Sequence, residues 1–313
     1  MTARYCLLIT VQCLLRTDYC LLTTVHCLLS TISTPNFFLP TVPQMFLYLH
    51  MLKQTLINAT IEGAKILQKY FNGKFTVTSK SNVNDLVTQA DHESEQAIFK
   101  VIRESFPDHY ILSEESGDLK MDSSTKWIID PIDGTINFAN GIPICCVSIG
   151  IEHQGSMVLG AVYNPFMNEF FFAEKGKGAT LNDVAIHVSD KTDLMTSCLV
   201  TGFPYQYVDK PNGPVQVLEQ FVRRATPVRR LGSAAIDLCW VAAGRFDGYY
   251  EHSLKAWDSA AGFLLVEEAG GKVTDFSGAY YSPYQPSIVA TNGKIHDELL
   301  LAVNGKWEPR EMS

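Results

Sequence analysis

Two aspartates in one short segment are the residues of this chain best suited to chemistry. The apolar run Trp-Ile-Ile leads into Asp-Pro-Ile-Asp-Gly-Thr, which places Asp130 and Asp133 three residues apart and Thr135 two residues further on. A strand ending in this way brings two carboxylates, a hydroxyl and turned backbone carbonyls to one point, and Mg²⁺ prefers such hard oxygen ligands. The hydroxyl of Thr135 would lie where it could touch a metal-bound water. The alternative is an ordinary polar turn, because Asp, Pro and Gly are common turn residues.

Glu114 and Glu115 follow the apolar run Tyr-Ile-Leu, which predicts another short strand. Two adjacent glutamates at a strand end repel each other unless a cation or solvent relieves them. Taken alone they would be solvated loop charges. Beside the Asp130 cluster, Glu114 is the better candidate for a metal ligand.

Two further aspartates stand where helices are expected to begin, and each has a structural interpretation of its own. Thr88 followed three residues later by Asp91 is typical of a capping box. Asp258 opens an apolar run that stops at Gly270-Gly271, which fits an N-cap and a glycine stop. Capping does not exclude function, because a carboxylate at a helix start can cap and still face a metal. The same helix start favours a bound phosphate.

The segments WIIDPIDGTINF and WDSAAGFLLVEEAGG resemble the two signature motifs of the inositol monophosphatase family, which are Mg²⁺-dependent, lithium-sensitive phosphomonoesterases. Other segments resemble the family in the same order and at similar spacing, so that the similarity covers about residues 51 to 305. Several motifs in one order are far more specific than any one of them. The additional segments are Asp85 to Asp91, Ser113 to Ser116, Asn164-Pro165, Gly176 to Ala179, Gly232 to Ala235 and Tyr249 to Glu251.

The resemblance implies which residues would hold metal. Glu114, Asp130 and the backbone carbonyl of Ile132 would bind the first Mg²⁺. Asp130, Asp133 and Asp258 would bind the second, and Glu114 would help a weaker third ion through waters. One departure from the family is Ile136, which stands where a second threonine is common. We expect that position to contribute backbone more than side chain.

The resemblance also implies catalytic and substrate-binding residues. Asp91 and Thr135 would form a dyad that orients and deprotonates the attacking water, with Glu114 beside them. Lys80 would soften the negative charge of the site, with Asp85 as a supporting residue. Taken alone, Lys80 would be an ordinary surface lysine. The residues implied to contact the phosphate or the alcohol are Gly134, Thr135, Ser233, Ala234, Glu251 and Asp258.

The net charge of the chain is −8, although the implied substrate is an anion. Two metal ions about 3.5–4 Å apart can bind the attacking and leaving oxygens of a phosphate ester together, and their charge inverts the local field. The protein then needs carboxylates to hold metals more than it needs arginines to hold phosphate. The pattern of a basic patch with interleaved aromatic residues, which would favour nucleic acid, is absent from the sequence.

The first fifty residues follow a different pattern. Cys-Leu-Leu recurs at residues 6, 13, 20 and 27, and no Asp, Glu, Lys or Arg occurs from Tyr19 to Leu52. A coiled coil is disfavoured by the missing e/g charges, and a signal peptide by the weak basic start. Pro35, Pro40 and Pro43 cut the apolar run short of the ~20 residues of a membrane anchor. We hypothesise that the segment is translated repetitive upstream DNA, with the natural start at Met45 or Met51.

The remaining cysteines sit in apolar surroundings without metal-type spacing, which indicates buried, reduced thiols and favours the cytoplasm. Periodicity predicts helices near 52–71, 89–105, 214–225, 233–244, 258–269 and 294–303. It predicts strands near 110–113, 126–130, 145–152, 157–163, 169–174, 197–201, 247–250, 271–275 and 287–291.

This order indicates an α+β half followed by an α/β half, and the family implies a layered α-β-α-β-α sandwich of the sugar-phosphatase type. The predicted divisions are an extension over 1–44, an α+β subdomain over 45–190 carrying most metal ligands, an α/β subdomain over 191–305 and a tail over 306–313. The expected site lies between the two subdomains, where ligands commonly bind.

The expected reaction is Mg²⁺-dependent hydrolysis of a phosphate monoester by a homodimer that binds neither nucleic acid nor membrane. Glu251 follows two tyrosines and precedes Asp258 by seven residues, a pattern that resembles inositol-type enzymes and favours inositol 1-phosphate. The rival substrates are fructose 1,6-bisphosphate, 3′-phosphoadenosine 5′-phosphate and histidinol phosphate. A non-catalytic binding protein on the same fold is the rival from another class.

Overall fold

The computed structural model describes residues 42–73, 76–79, 86–204 and 213–308. Lys80, Asp85 and the Cys-Leu-Leu repeats therefore lie outside the described residues. Every contact discussed below lies within the compact unit Leu49–Ser313.

The helices of the described residues are few and mostly amphipathic or buried. In chain order they are α1 (Val42–Tyr70), α2 (Gln89–Ser105), α3 (Thr135–Ala139), α4 (Pro214–Arg223), α5 (Ala234–Ala242), α6 (Ala256–Glu268) and α7 (His296–Val303). A 3₁₀ turn occupies Leu194–Thr196. No helix in the described part of the chain is both long enough and apolar enough to cross a membrane.

The strands form two main sheets and a small hairpin. They are β1 (Val77–Ser79), β2 (Leu86–Thr88), β3 (Tyr110–Ser113), β4 (Gly117–Leu119), β5 (Thr125–Asp133), β6 (Cys146–His153), β7 (Ser156–Asn164), β8 (Glu169–Glu174), β9 (Gly178–Leu181), β10 (Val184–Ala185), β11 (Leu199–Thr201), β12 (Val228–Arg229), β13 (Gly248–His252), β14 (Lys272–Thr274) and β15 (Ser287–Thr291). The eight-stranded sheet has the order β10-β9-β8-β7-β6-β5-β3-β4, and the five-stranded sheet has the order β12-β11-β13-β15-β14.

Helices α5 and α6 lie between the two sheets. Helix α6 packs on β5 to β8 of the larger sheet and on β14 and β15 of the smaller one, and α5 contacts strands of both. The sequence explains this position, because α6 contains the continuous apolar run Phe263 to Val266, all of it buried. A helix that is apolar on every side must be covered on every side. Each such side chain contributes about 1.5–3 kcal/mol relative to exposure.

Two glycines allow α6 to approach the sheet closely. A Cβ on Gly160 would stand 3.0 Å from the carbonyl oxygen of Ala261, and one on Gly150 would stand 2.9 Å from the Cβ of Ala260. Larger side chains at either position would push the helix away from β6 and β7. This close contact matters for the site, because α6 carries Asp258.

The layered architecture predicted from the family is confirmed. The expected elements 89–105, 110–113, 169–174 and 287–291 have the predicted bounds. Two boundaries were predicted wrongly. Helix α1 begins at Val42 instead of near residue 52, and β5 continues to Asp133 instead of ending at Asp130. Periodicity also missed the short strands β1, β2, β4, β9, β10 and β12, because two to four residues are too few to establish an alternating pattern.

Candidate active site

A β-bulge in β5 shapes the centre of the candidate site. Asp130 pairs with Ser148 of β6, and Asp133 pairs with Cys146, so three steps along β5 oppose two steps along β6. The bulge therefore contains one extra residue, and both aspartates project from the same face of the sheet. Pro131 lies inside the bulge, where its missing N–H costs no ladder hydrogen bond.

The carbonyls inside the bulge are turned out of the ladder. The Pro131 oxygen accepts a hydrogen bond from the Ser94 hydroxyl at 3.0 Å, and the Ile132 oxygen accepts one from the Thr135 hydroxyl at 3.0 Å. The Ile132 N–H donates to Oδ1 of Asp130 at 3.1 Å. The turned backbone carbonyls expected from the sequence are thus present at this point of the chain.

Asp133 is fixed by the start of α5. Its Oδ2 accepts hydrogen bonds from the Ser233 hydroxyl at 2.6 Å and from the Ala235 N–H at 2.7 Å. Ser233 is the N-cap of α5, so the same hydroxyl that begins the helix also orients the aspartate. Three residues of the predicted substrate or metal set, Asp133, Ser233 and Ala234, therefore lie at one place.

Asp91 performs two tasks with its two oxygens. Oδ2 accepts the Thr88 N–H at 2.7 Å and completes the capping box of α2. Oδ1 lies 3.3 Å from the Thr135 hydroxyl, which belongs to the short helix after β5. The structure therefore supports both the capping interpretation and the contact expected of a dyad.

Asp258 is the third residue of α6, and its Oδ2 accepts the Lys255 N–H at 2.6 Å. The sequence placed it at the N-cap, but Lys255 occupies that position. The N-cap prediction for Asp258 is therefore wrong, although its carboxylate still satisfies an amide at the helix start that the helix itself cannot.

Glu114 lies at the tip of the hairpin between β3 and β4. Its N–H donates to the Ile129 carbonyl at 3.2 Å, which ties the tip to β5 one residue before Asp130. Glu114 and Asp130 are therefore neighbours across the parallel pair β3–β5, which pairs Ser113 with Ile129. This neighbourhood favours Glu114 as part of the site.

The electrostatics of these acids show that they share one region. Burial raises the pKa of Asp130 well above its usual range, and the charges of Glu114, Asp133, Asp258 and Asp91 raise it further. Burial raises the pKa of Asp133 to about 6, while the hydrogen bonds from Ser233 and Ala235 oppose the rise. Burial, followed by the charges of Asp133 and Glu114, also raises the pKa of Asp258.

A further acid of the predicted site lies on β13. Glu251 accepts a hydrogen bond from the Tyr249 hydroxyl at 2.5 Å, and a Cβ on Gly202 would stand only 2.1 Å from its Oε2. Burial raises the pKa of Glu251 to about 7, with the charge of Asp133 adding to the effect. Glu251 therefore lies within electrostatic reach of the Asp133 group.

The donor set fits a divalent cation. Buried carboxylates that raise one another's pKa are stabilised by a shared positive charge, and carboxylate and carbonyl oxygens are the ligands that Mg²⁺ prefers. Within the ranges that the structure describes, no three His, Cys, Asp or Glu side chains are grouped closely enough to hold a metal ion as they stand. Binding would therefore require side-chain adjustment.

Sequence reasoning missed several residues that hold the site in place. Ser94 and Glu95 of α2 are almost fully buried, and both hydrogen bond to site segments. Their spacing from Asp91, three and four residues, puts all three on one helix face and was the available signal. Asp237, buried near Glu251, gave no such signal, whereas Tyr249 was noted only as part of the family-like segment Tyr249 to Glu251.

Comparison with known proteins agrees with this geometry. The model of the inositol monophosphatase family matches residues 49–306. A relative from Synechocystis named inositol-1-monophosphatase is 45% identical over 234 residues, covering 74% of this chain and 82% of the relative. A relative from Pasteurella multocida named Nus factor SuhB is 43% identical over 246 residues, covering 78% of this chain and 92% of the relative.

Solved structures give the same result. The extragenic suppressor protein suhB from Bartonella henselae has a TM-score of 0.76 at 37% identity, covering 80% of this chain and 98% of that one. The inositol monophosphatase from Anabaena has a TM-score of 0.74 at 39% identity, with coverage of 82% and 97%. Since the family model spans residues 49–306 and both the relatives and the solved structures agree with it, this chain belongs to the inositol monophosphatase family.

Proposed function

We propose that the chain hydrolyses a phosphate monoester with the help of Mg²⁺, and that inositol 1-phosphate is its substrate. The observation that carries the proposal is the convergence of buried carboxylates, of which Asp91, Asp130, Asp133 and Asp258 each accept a backbone N–H through one oxygen. Acids held in this way are partly oriented before a ligand arrives, and side-chain adjustment would complete the site. Preorganisation of this kind is what a metal-assisted phosphatase requires.

Glu114, Asp130 and the Ile132 carbonyl would hold one Mg²⁺, and Asp130, Asp133 and Asp258 would hold another. Bound at these places, the ions would lower the pKa of a bound water and neutralise the phosphate charge. The hydrogen bonds that Asp133 accepts from the Ser233 hydroxyl, the Ala235 N–H and the Cys146 thiol all reach Oδ2, so Oδ1 is the oxygen that would face a cation.

Thr135 and Asp91 would manage the proton of the attacking water. The Thr135 hydroxyl has one hydrogen and two acceptors in reach, the Ile132 carbonyl at 3.0 Å and Asp91 Oδ1 at 3.3 Å. If the Ile132 carbonyl turns to a cation, Asp91 remains as the acceptor. The hydroxyl oxygen would then accept a hydrogen bond from water while its proton points to Asp91.

The alcohol of the substrate would lie between α5 and β13. Ser233 and the Ala234 backbone form one side, and Glu251 forms the other. The Tyr249 hydroxyl and the Gly202 backbone fix the Glu251 carboxyl, so that it can accept hydrogen bonds from a polyol in one orientation. A substrate rich in hydroxyls, such as an inositol phosphate, suits this wall better than an apolar alcohol.

The test is phosphate release measured over a panel of monoesters with Mg²⁺ and with excess EDTA. We expect inositol 1-phosphate to give the highest kcat/KM, and EDTA to abolish the activity, because the acids alone repel an anionic substrate. The panel includes fructose 1,6-bisphosphate, 3′-phosphoadenosine 5′-phosphate and histidinol phosphate. Faster turnover of one of these would replace the substrate assignment, and hydrolysis undiminished in EDTA would refute the mechanism.

The relatives' names also raise a non-catalytic alternative, because some are named Nus factor SuhB and others inositol-1-monophosphatase. The full set of expected acids is present in this chain, and Asp91 lies within hydrogen-bond distance of Thr135. A protein without hydrolytic activity would have no need of that contact beyond the helix cap. The same phosphate-release assay distinguishes the two, since a purely binding protein would release none.

A further inference from the structure

Helix α2 contacts the candidate site at three separate points. Asp91 approaches Thr135, Ser94 donates to the Pro131 carbonyl, and Glu95 reaches the hairpin that carries Glu114. These side chains occupy positions i, i+3 and i+4, which lie on one face of a helix. The first two contacts involve the bulge and the segment after it, whereas the third involves a different part of the sheet.

Glu95 binds the hairpin tip with both of its oxygens. Oε1 accepts the Ser116 N–H at 3.0 Å, and Oε2 accepts the Ser116 hydroxyl at 2.5 Å. Glu95 is only 1% exposed. A buried carboxylate is stable only when it is well hydrogen bonded, so this two-point contact is tightly specified.

The hairpin needs such an anchor. Strand β4 is three residues long and, among the described strands, lies at one edge of the eight-stranded sheet beside β3. The tip consists of Glu114, Glu115 and Ser116, and the chain then turns through Gly117 at a φ of 71°. One end of the tip is held by the bond from the Glu114 N–H to Ile129, and the other end is held by Glu95.

We propose that Glu95 is a positioning residue for Glu114, holding the hairpin tip so that the Glu114 carboxylate stays beside Asp130 and contributes to Mg²⁺ affinity. The inference deepens the proposed function and rests on it, because the position of Glu114 matters to Mg²⁺ only if the site binds the ion. Residues that orient metal ligands typically account for about 10–100-fold in metal affinity.

The test compares variants of the full chain by calorimetric titration with Mg²⁺ alone, without substrate, together with the unfolding temperature in EDTA. Glu95→Ala is expected to weaken Mg²⁺ binding about 10–100-fold. Ser116→Ala, which removes only the hydroxyl contact, is expected to weaken it less. The double variant is expected to bind no more weakly than Glu95→Ala, since both changes remove one interaction. Glu95→Gln keeps an acceptor for the Ser116 N–H and should recover most of the affinity.

Glu93→Ala is the matched control. Glu93 lies on the same helix and accepts hydrogen bonds from Lys69 and Tyr70 of α1, away from the hairpin. It should change the unfolding temperature without changing Mg²⁺ affinity. If Glu95→Ala lowers the unfolding temperature in EDTA but binds Mg²⁺ like the natural chain, Glu95 is only structural and the inference fails while the proposed function stands.

Two further outcomes are decisive. If the natural chain binds no Mg²⁺, the inference and the proposed function fail together. If Glu95→Ala does not fold, Ser116→Ala decides alone, since it leaves the buried carboxylate and its bond to the Ser116 N–H in place. Mg²⁺ affinity unchanged in Ser116→Ala would then overturn the inference.

Discussion

At the scale of single residues, the acids of the site combine local structure with function. Asp91 caps α2 with one oxygen and approaches Thr135 with the other, and Asp258 satisfies the Lys255 N–H at the start of α6. From the sequence, each position had a capping interpretation beside a functional one, which was a dyad with Thr135 for Asp91 and a metal ligand for Asp258. A carboxylate has enough acceptor sites to cap a helix through one oxygen and leave the other for the proposed role.

The variants Asp133→Asn and Asp258→Asn separate the structural role of each carboxylate from its proposed role as a metal ligand. Asparagine caps a helix about as well as aspartate, so the fold should survive. Each change removes a charge from a repulsive buried group, so the unfolding temperature in EDTA should be no lower than that of the natural chain. Phosphate release should fall by orders of magnitude because the second metal is lost. A fully active Asp258→Asn would show that capping is the whole role of Asp258.

The Thr135–Asp91 contact predicts a non-additive pair. Thr135→Ala and Asp91→Asn should each lower kcat about 10²–10⁴-fold, the usual range for assistance by a positioned base. The double variant should be little worse than either single one, because the two groups act as one unit. Thr135→Ser keeps the hydroxyl and should keep much of the activity. Losses that multiply in the double variant would show that the two residues act separately.

At the scale of elements, the long regular helices and strands could be predicted from the sequence. The bulge and the hairpin, which form the site, could not. Helix α2 was predictable to the residue because the capping box at Thr88 marks its start and the apolar face marks its length. The bulge in β5 was not, because nothing local indicates how β5 pairs with β6. The hairpin anchored by Glu95 also depends on a contact between residues 21 apart in the chain.

Because α6 packs closely against β7, a single methyl group added at Gly160 is expected to affect both the stability of the fold and metal binding. Gly160→Ala places a Cβ about 3.0 Å from the Ala261 carbonyl oxygen, a backbone atom that cannot move alone. We expect a loss of about 1–3 kcal/mol, as is typical of overpacking, and a higher Mg²⁺ requirement because α6 carries Asp258. Denaturant unfolding and Mg²⁺-dependent phosphate release measure the two effects.

Ser156→Ala, at the exposed start of the same strand, is the control and should leave both quantities unchanged. An unaltered Mg²⁺ requirement in a destabilised Gly160→Ala variant would show that the position of Asp258 does not depend on this contact.

At the scale of the whole molecule, the stability of this acidic protein is predicted to depend on pH and Mg²⁺ together. The raised pKa of Asp133, about 6 against an ordinary 3.8, means that the folded protein binds its proton more tightly than the unfolded chain does. Between these values the metal-free protein therefore loses stability as pH rises. Asp130 and Asp258, whose pKa values are also raised, add to the loss in the same direction.

The expected result is a metal-free protein whose unfolding temperature is lower at pH 7.5 than at pH 5. Added Mg²⁺ should raise that temperature more at the higher pH, because only ionised carboxylates bind the ion. Thermal unfolding at both pH values, with EDTA and with Mg²⁺, gives the comparison. Equal Mg²⁺ stabilisation at the two pH values would contradict the assignment of these acids as ligands.

The order of elements and the layered fold could be expected from family resemblance, but the mutual placement of the layers could not be read from periodicity. The acids of the site come from α2, β5, α6 and the β3–β4 hairpin, which the chain reaches at widely separated points. Their convergence depends on long-range packing, such as that of α6 between the two sheets. Local patterns identify the elements but do not fix such contacts.

The extra residue in β5 determines which groups of this site can be tested by mutagenesis. In a regular strand, residues three apart face opposite sides, so the extra residue is what places Asp130 and Asp133 on the same face. It also releases the Pro131 and Ile132 carbonyls toward Ser94 and Thr135. Alanine substitution does not remove a main-chain oxygen, so alanine scanning cannot test these two carbonyls. Deletion of Pro131 would remove the bulge while every implicated side chain stays in the sequence.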